Sequence, residues 1–170
     1  FQGEMAHMIE ARAACALPVL RKDFMVDPWQ VFEARAAGAD AILLIMAALS
    51  DEQATVLEDV ARSLDMSVLA EVHDRRELDR ALGLETRLIG VNNRNLETMK
   101  IDIATSKSMA TLIPPGFTKI SESGIENPAV VMELKQLGYN GFLIGSYFMK
   151  HPEPEKACAE FIRQVNKLKK

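Results

Sequence analysis

Five polar residues stand at the downstream ends of short apolar runs, where their side chains could take part in chemistry. They are Lys22, Glu71, Asn92, Glu122 and Ser146. A lysine ammonium can stabilise negative charge that develops on an oxygen. A glutamate flanked by apolar residues is partly desolvated, which raises its pKa as a general acid or base requires. If each run is a parallel strand, these ends share one edge of a sheet, and the pattern predicts a common site there.

Each of these side chains also has a simpler explanation. Most lysines are solvated, and Glu71 could be an ordinary rim glutamate paired with Lys22. Glu122 allows the same two interpretations as Glu71. Asn92 could orient a substrate oxygen, but asparagines at the start of a loop often satisfy neighbouring backbone groups instead. The residue types therefore leave both interpretations open.

Two of the run ends also contain glycine, which suits phosphate binding. These segments are Glu122-Ser123-Gly124-Ile125 and Leu143-Ile144-Gly145-Ser146. Glycine lets the backbone approach a ligand closely, and backbone N–H groups at such loops bind phosphate in barrel enzymes. The alternative is that both glycines only form turns. The pair predicts a phosphate cradle at the last two strands.

The elements that must position these residues follow a repeated order of strand and helix. Six short apolar runs predict buried parallel strands. They lie within Leu17–Phe24, Ala41–Met46, Ser67–Val72, Leu88–Val91, Phe117–Ser121 and Phe142–Ile144. Segments with helical spacing, many with a capping residue or proline at the start, predict the helices. These span Met5–Ala16, Pro28–Ala37, Asp51–Leu64, Arg75–Leu82, Ile103–Ile113, Pro128–Leu137 and Glu153–Leu168.

Alternating strands and helices predict right-handed βαβ units and a parallel α/β sheet. Two closures are possible, an open doubly wound sheet and an eight-stranded barrel. No strand is followed by the glycine-rich dinucleotide fingerprint, which makes the open sheet less favoured. Polar residues at the ends of many strands favour the barrel. With 170 residues, the chain is expected to form one domain.

Composition argues against several classes of function. The net charge of −4 gives no general attraction to nucleic acid or anionic lipid. No apolar stretch is long enough to span a bilayer and no signal peptide is visible, so we expect a cytoplasmic location. The two cysteines, Cys15 and Cys158, lack metal-ligand spacing and fit a reducing compartment. We therefore expect no metal site, no nucleic-acid partner and no membrane partner.

Six sequence motifs, spread over nearly the whole chain, carry a resemblance to a known family. They are Leu20-Arg21-Lys22-Asp23-Phe24, Ala39-Asp40-Ala41-Ile42-Leu43-Leu44, Ala70-Glu71-Val72-His73, Gly90-Val91-Asn92-Asn93-Arg94-Asn95-Leu96, Ser121-Glu122-Ser123-Gly124-Ile125 and Phe142-Leu143-Ile144-Gly145-Ser146. In order and spacing they resemble indole-3-glycerol phosphate synthase, a TIM (β/α)8-barrel enzyme of tryptophan biosynthesis. Phe1-Gln2-Gly3 is also similar to the family's segment after its second strand. The resemblance implies a lyase with a TIM-barrel fold, of which this chain holds about six parallel βα units.

The implied reaction converts 1-(2-carboxyphenylamino)-1-deoxyribulose 5-phosphate to indole-3-glycerol phosphate. A carbon of the aniline ring attacks the ribulose carbonyl, carbon dioxide leaves, and dehydration forms the indole. In the family this chemistry uses no metal and no organic cofactor. The implied ligand is therefore a phosphorylated small molecule.

The resemblance also assigns roles to the candidate residues. Lys22 is implied to donate a proton to the carbonyl oxygen under attack, and Glu71 to serve the acid and base steps of dehydration. Asn92 and Glu122 are implied to hold the substrate and its hydroxyls, with Arg94 near the substrate. The residues that match the family's phosphate cradle are Ser123, Gly124, Gly145 and Ser146.

The chain departs from the family in length, because a complete enzyme of this kind has about 250 residues. The family's first two strands, and the Glu-x-Lys pair on its first strand, have no counterpart here. We therefore expect weak or undetectable activity from this chain alone. Open sheet edges would favour a homo-oligomer. Two alternatives remain, a non-catalytic barrel fragment that acts as an assembling scaffold, and another phosphate-binding barrel enzyme such as phosphoribosylanthranilate isomerase.

Overall fold

The structure is a computed structural model that describes residues 3–168. The first two residues of the Phe1-Gln2-Gly3 segment lie outside the described residues. The chain divides into two compact units. The first unit runs to Val72 and includes Arg76–Leu88, and the second unit comprises His73–Arg75 and the chain from Ile89 onward. The prediction of one domain over the whole chain stays a prediction.

The first unit alternates helices and strands. Its elements are α1 (Met5–Ala14), β1 (Leu20–Arg21), α2 (Pro28–Ala36), β2 (Ala41–Ile45), a 3-10 turn (Met46–Ala48), α3 (Asp51–Ser63), β3 (Ser67–Val72) and most of α4 (Arg75–Ala81). Strands β1, β2 and β3 pair in parallel in that order. Leu20 lies opposite Ala41, and Ile45 lies opposite Glu71. This is the parallel α/β arrangement that the order of elements predicts.

The central strand of the first unit is buried because its side chains are apolar on both faces. Ile42, Leu43 and Leu44 of β2 have no exposed surface. Such runs are typical of parallel strands that helices cover on either side. Helix α3 turns Leu57 and Ala61 inward, and both are buried. The apolar core therefore fixes β2 and β3 beside each other, with Glu71 near the end of β3.

Local sequence signals set the helix starts of the first unit. The Asp27 side chain accepts a hydrogen bond from the Trp29 N–H at 2.8 Å, and Gln30 completes a capping box at the start of α2. Ser50 and Gln53 form the equivalent box at the start of α3, with Gln53 N–H donating to Ser50 Oγ at 3.2 Å. Both helix starts agree with the sequence-based prediction.

The second unit continues the same alternation. Its elements are β4 (Leu88–Asn92), α5 (Ala104–Met109), β5 (Thr118–Glu122), α6 (Pro128–Gln136), β6 (Gly141–Leu143), α7 (Ser146–Met149) and α8 (Pro154–Leu168). Strands β4, β5 and β6 follow in that order. In the parallel β5–β6 pair, Ser121 lies opposite Phe142 and Glu122 opposite Leu143. Helices α6 and α8 pack against each other.

The first strand is shorter than predicted. β1 contains two residues, although the apolar run begins at Leu17. The backbone ahead of the strand is bonded to side chains instead: Arg12 donates to the Leu17 carbonyl at 2.7 Å, and the Val19 N–H donates to Asp40 Oδ2 at 2.7 Å. Because these groups are already satisfied, the run does not extend the sheet.

Two helices of the second unit also differ from the prediction. Helix α5 ends at Met109 and not at Ile113. Lys119 Nζ donates to the Ala110 carbonyl, and a residue that precedes a proline, as Ile113 precedes Pro114, is disfavoured in helical conformation. Helix α7 was not predicted, because a single turn of four residues carries no periodic signal.

Cys15 and Cys158 are free thiols, the first exposed and the second partly buried. Over residues 3–168, no helix has both the length and the apolar character needed to cross a membrane.

Candidate functional site

Lys22 and Glu71 form an ion pair inside the first unit. Lys22 Nζ lies 2.9 Å from Glu71 Oε2. The Glu71 side chain, on the next-to-last residue of β3, is 1% exposed, whereas 31% of the Lys22 side chain is exposed. The carboxylate is therefore enclosed, and part of the lysine side chain keeps access to solvent. The structure thus brings together two of the predicted site residues, whose catalytic roles stay predictions.

The backbone of β1 directs Lys22 away from α2. Successive side chains of a strand point to opposite faces. Arg21 donates to the Gln30 carbonyl at 3.0 Å and to Glu33 Oε2 at 2.8 Å, so it faces α2. Lys22 is the next residue and extends to Glu71 instead. The contacts of Arg21 therefore determine which face of the sheet presents the lysine.

Gln30 also holds the loop that follows Lys22. Its Oε1 accepts hydrogen bonds from the N–H groups of Val26 at 2.7 Å and Asp27 at 3.0 Å. Its Nε2 donates to the Phe24 carbonyl at 2.9 Å. A side chain that satisfies several backbone groups of one loop restricts the conformations of that loop. Lys22 is thus attached to a braced segment between β1 and α2.

In the second unit, Asn92 and Glu122 are the last residues of the neighbouring strands β4 and β5, and both are buried. Asn92 Oδ1 accepts a hydrogen bond from the Arg94 N–H at 3.0 Å. The sequence analysis gave Asn92 two possible roles, and this bond is the one in which its side chain satisfies a neighbouring backbone group. Glu122 places a carboxylate at a buried strand end. The positions agree with the predicted strand ends, and the binding roles of all three residues stay predictions.

A left-handed turn follows Glu122. Ser123 has φ +65° and Gly124 has φ +73°, in a region that residues with a Cβ rarely adopt. A Cβ built on Gly124 would also collide with Ile101 Cγ2. Glycine is therefore required at position 124 by its own backbone and by its neighbour. The turn holds two predicted ligand residues in one uncommon conformation.

The second predicted glycine end, after β6, is built differently. Gly145 has φ −118°, and a Cβ there would meet no atom within 4 Å. Ser146 is the first residue of α7. The Ser123 N–H donates to the Leu143 carbonyl at 3.3 Å, which joins the two strand ends. The glycine ends are thus neighbours within the second unit, but only Gly124 is constrained to be glycine.

The sequence interpretation missed Asn93, which lies at the centre of a buried polar network in the second unit. Its Nδ2 donates to the carbonyls of Glu122 at 2.9 Å and Ser123 at 3.0 Å. Its Oδ1 accepts from the Ser106 N–H at 3.0 Å. Strand alternation could have indicated this role, because Asn93 follows Asn92 directly and its side chain must face another direction.

Tyr139 closes the same network on its other side. Its hydroxyl donates to the Ser106 carbonyl at 2.7 Å. The hydroxyls of Ser106 and Ser121 lie 2.7 Å apart, and Ser121 Oγ also accepts from Asn93 Nδ2 at 3.1 Å. Burial raises the pKa of Tyr139 to about 12, because the phenolate would lose its hydration. The network is therefore neutral at ordinary pH.

Comparison with known proteins identifies a family for nearly the whole chain. The family model of indole-3-glycerol phosphate synthase matches residues 1–161. Indole-3-glycerol phosphate synthases from Acidovorax sp., Polaromonas sp. and Aromatoleum aromaticum are 49%, 51% and 53% identical to this chain. The alignments cover 94%, 94% and 91% of this chain, and 60%, 61% and 59% of those relatives. The chain thus spans about 60% of the length of the curated relatives that it matches.

Solved structures share the fold at low sequence identity. A mandelate oxidase mutant with a monooxide FMN adduct has a TM-score of 0.69 at 16% identity, over 93% of this chain and 60% of that chain. The native KDPGal structure has a TM-score of 0.66 at 15% identity, over 96% of this chain and 76% of that chain. These likenesses concern the fold alone. They confirm the predicted TIM-barrel class for the six parallel strands.

Proposed function

This chain belongs to the indole-3-glycerol phosphate synthase family, and on that basis we propose that it catalyses the family's ring closure. In that reaction 1-(2-carboxyphenylamino)-1-deoxyribulose 5-phosphate loses carbon dioxide and water to give indole-3-glycerol phosphate. The observation that supports the proposal most is the enclosed Glu71 carboxylate 2.9 Å from the ammonium of the partly exposed Lys22 side chain. It is a pair able to transfer protons, located where parallel strands end, which is where barrel enzymes carry their catalytic groups.

Lys22 donates a proton to the ribulose carbonyl oxygen while the aromatic ring carbon attacks the carbonyl carbon. The new carbon–carbon bond shifts an electron pair onto that oxygen, and a nearby ammonium stabilises the charge. The bond to the carboxyl group then breaks, carbon dioxide leaves, and its electron pair restores the aromatic ring. The ion pair with Glu71 supports this role because it fixes Nζ while part of the lysine stays exposed to a ligand.

Glu71 serves the dehydration step. The former carbonyl oxygen is by then a hydroxyl, which leaves as water after it receives a proton. A second proton must be removed from the substrate to form the double bond of the indole. A carboxylate hydrogen-bonded to Lys22 can take part in both transfers. Its enclosure strengthens these interactions, because the local dielectric constant is low.

Asn92, Glu122 and Arg94 are assigned to binding the substrate. The amide of Asn92 and the carboxylate of Glu122 are buried at strand ends, which limits their motion. The hydrogen bond from the Arg94 N–H to Asn92 Oδ1 fixes the backbone that carries the guanidinium. Together these side chains provide donors and acceptors for hydroxyl and carboxylate groups.

The 5-phosphate of the substrate binds at the two glycine ends of the second unit. The residues assigned to this role are Ser123, Gly124, Gly145 and Ser146. Backbone N–H groups exposed by a turn form concave sites for anions. The left-handed turn at Gly124 and the open space around Gly145 support the assignment of the two glycines. The Ser123 N–H is bonded to the Leu143 carbonyl, so Ser123 is assigned through its hydroxyl.

Indole fluorescence tests the proposal while the purified chain is incubated with the substrate. We expect at most slow formation of the product, accompanied by release of carbon dioxide. Lys22→Met keeps the aliphatic stem and removes the ammonium, and we expect it to lower the rate about 100-fold or more. Lys150→Met is the matched control, because Lys150 pairs with Glu126 at the surface and 66% of its side chain is exposed. The control should keep the wild-type rate.

Circular dichroism establishes that each sample is folded. A folded chain that neither forms product nor binds the substrate would contradict the proposal and favour the non-catalytic scaffold. Equal rates for wild type and Lys22→Met would remove Lys22 from the mechanism. The same assay measures whether turnover is weak, as we expect from the sequence.

The location is proposed to be cytoplasmic. The free thiols of Cys15 and Cys158 support this, because a reducing compartment keeps cysteines unpaired. Cell fractionation with an antibody against the chain tests it, and recovery in a membrane or secreted fraction would contradict it.

The chain is also proposed to form a homo-oligomer through its sheet edges. The outer strands β1 and β6 are short, which limits pairing by strand edges alone. The support for association comes from exposed apolar side chains, since Leu17 and Trp29 of the first unit and Met149 of the second are largely exposed. Size-exclusion chromatography with light scattering should give a mass above that of one chain. A monodisperse monomer would contradict the proposal.

A further inference from the structure

Asn93 joins three segments of the second unit through hydrogen bonds. Its N–H donates to the Glu122 carbonyl at 2.9 Å, and its carbonyl accepts from the Asp102 N–H at 2.9 Å. Its side-chain amide donates to the carbonyls of Glu122 and Ser123. Its Oδ1 accepts from the Ser106 N–H. One buried residue therefore ties the end of β4 to the end of β5 and to the start of α5.

The partners of Asn93 fix the orientation of its amide group. The carbonyl oxygens need a donor and the Ser106 N–H needs an acceptor, so the NH2 and the oxygen cannot exchange places. The Ser106 N–H belongs to the first turn of α5, where N–H groups have no partner inside the helix. The N-cap residue of α5, Ile103, provides no side-chain cap. Asn93 therefore caps α5 from outside the helix with the same group that holds the β5 end.

The conformation of Ser123 explains why this support matters. Its φ of +65° is unfavourable for a residue with a Cβ. Such a backbone persists only where its surroundings determine it strongly. The carbonyl groups on either side of the Ser123 φ and ψ angles are those of Glu122 and Ser123 itself, and Asn93 Nδ2 bonds to both. One amide group thus restrains both dihedral angles.

We propose that Asn93 is a positioning residue, whose amide holds Ser123 and Gly124 in the left-handed turn to which the substrate phosphate binds. This inference rests on the proposed function, because the phosphate role of the turn is itself proposed. Asn93 acts through Ser123 and Gly124 and does not touch the substrate. The position requires asparagine and not aspartate, because two carbonyl oxygens there need an N–H donor.

The first test removes the donor and keeps the shape of the side chain. Asn93→Asp retains an acceptor for Ser106, but it places an oxygen opposite the carbonyls of Glu122 and Ser123. We expect the backbone carbon shifts and the HN–Hα coupling of Ser123 to lose their left-handed values in the NMR spectrum. The dissociation constant for inorganic phosphate, from an NMR titration, should rise about tenfold or more.

Tyr139→Phe is the matched control. It removes a hydrogen bond from the same buried network, the one donated to the Ser106 carbonyl, and leaves the turn untouched. It should lower Tm but leave the Ser123 and Gly124 signals and the phosphate dissociation constant unchanged. If Asn93 contributed only to stability, the NMR signals of Ser123 and Gly124 would be the same in Asn93→Asp and Tyr139→Phe. That result, or unchanged Ser123 signals in Asn93→Asp, would overturn the proposal.

A second route applies if Asn93→Asp does not fold. Glycine adopts left-handed backbone angles without the steric cost that Ser123 meets. Asn93→Ala removes the amide without adding an oxygen, and the double variant Asn93→Ala/Ser123→Gly should therefore be folded. A double variant that stays unfolded, while Ser123→Gly alone is stable, would overturn the proposal.

The two readouts also separate this inference from the proposed function. If the wild-type chain fails to bind inorganic phosphate, the phosphate role of the turn is wrong. The Ser123 signals in Asn93→Asp still decide, in that case, whether Asn93 holds the turn.

Discussion

In the first unit a charged pair is only partly enclosed, whereas in the second unit a neutral polar network is buried throughout. The Glu71 side chain is 1% exposed, whereas 31% of the Lys22 side chain is exposed. Asn93 accepts a hydrogen bond from the Ser106 N–H, Tyr139 donates one to the Ser106 carbonyl, and all three residues are buried. Part of the Lys22 side chain is thus exposed, whereas the polar groups of the network in the second unit are bonded to other groups of the protein.

The ion pair and the neutral network are suited to different roles. A charged pair that is partly exposed can exchange protons with a substrate. Its formation lowers the stability of the fold by the cost of desolvating the Glu71 carboxylate. A satisfied neutral network stabilises one backbone geometry and has no charge to transfer. Substitutions at Lys22 or Glu71 should therefore change chemistry, and the loss of the Asn93 amide should change the shape of a binding turn.

The largest effect is expected at the turn itself. Gly124→Ala places a Cβ in a left-handed backbone and against Ile101, and we expect a loss of about 3 kcal/mol in the free energy of unfolding. Gly145→Ala is the control and should change the free energy by less than about 0.5 kcal/mol, because its Cβ meets open space. Urea unfolding measures both. Equal losses at the two glycines would remove the geometric distinction drawn for the second unit.

The charged pair should give the next largest effect. Lys22→Met leaves the enclosed Glu71 carboxylate without its ammonium, and the free energy of unfolding should fall by about 2 to 3 kcal/mol. Lys150→Met breaks an exposed pair with Glu126 and should change it by less than about 1 kcal/mol. Urea unfolding at low and high salt measures the two. Similar losses in both variants would show that the enclosure of Glu71 is unimportant.

Tyr139 should make the second unit sensitive to alkaline pH. The pKa of its phenol is about 12 in the folded chain and about 10 when unfolded. Between these values only the unfolded state releases the proton, so stability that is present below pH 10 is lost as pH rises through 12. Wild type should lose about 2 kcal/mol more than Tyr139→Phe by about pH 11.5. Urea unfolding at several pH values measures this, and equal slopes for the two proteins would contradict it.

Ser121→Ala should have the smallest effect. It removes the hydroxyl that bonds to Asn93 Nδ2 and to Ser106 Oγ, and the free energy of unfolding should fall by about 1 kcal/mol. The Ser123 signals in the NMR spectrum should stay at their wild-type values, because Asn93 keeps its bonds to the backbone carbonyls. A shift as large as that in Asn93→Asp would show that the hydroxyl, and not the amide, holds the turn.

The strand ends could be predicted because each is marked by a local change from apolar to polar residues. Glu71, Asn92 and Glu122 all lie in the last two residues of their strands, and Lys22 directly follows β1. The family resemblance rests on the same local motifs. Local signals of this kind need no knowledge of the partner strand.

The polar contacts could not be predicted in the same way, because they depend on register and on distant segments. The role of Asn93 depends on its hydrogen bonds to Ser106 and Ser123, and both residues are distant from Asn93 in the sequence. The length of β1 depends on Asp40, whose carboxylate takes up the Val19 N–H. A pattern along one segment contains no information about such pairings. Tertiary contact therefore decided both features.

A double-mutant cycle with Lys22→Met, Glu71→Gln and the combined variant tests most directly whether Lys22 and Glu71 act as one unit. The rate of indole formation and the free energy of unfolding are measured for all four proteins. We predict that the combined variant is no slower than the slower single variant, with a coupling of at least about 1 kcal/mol in stability. Rate losses that multiply, together with a coupling near zero, would contradict this.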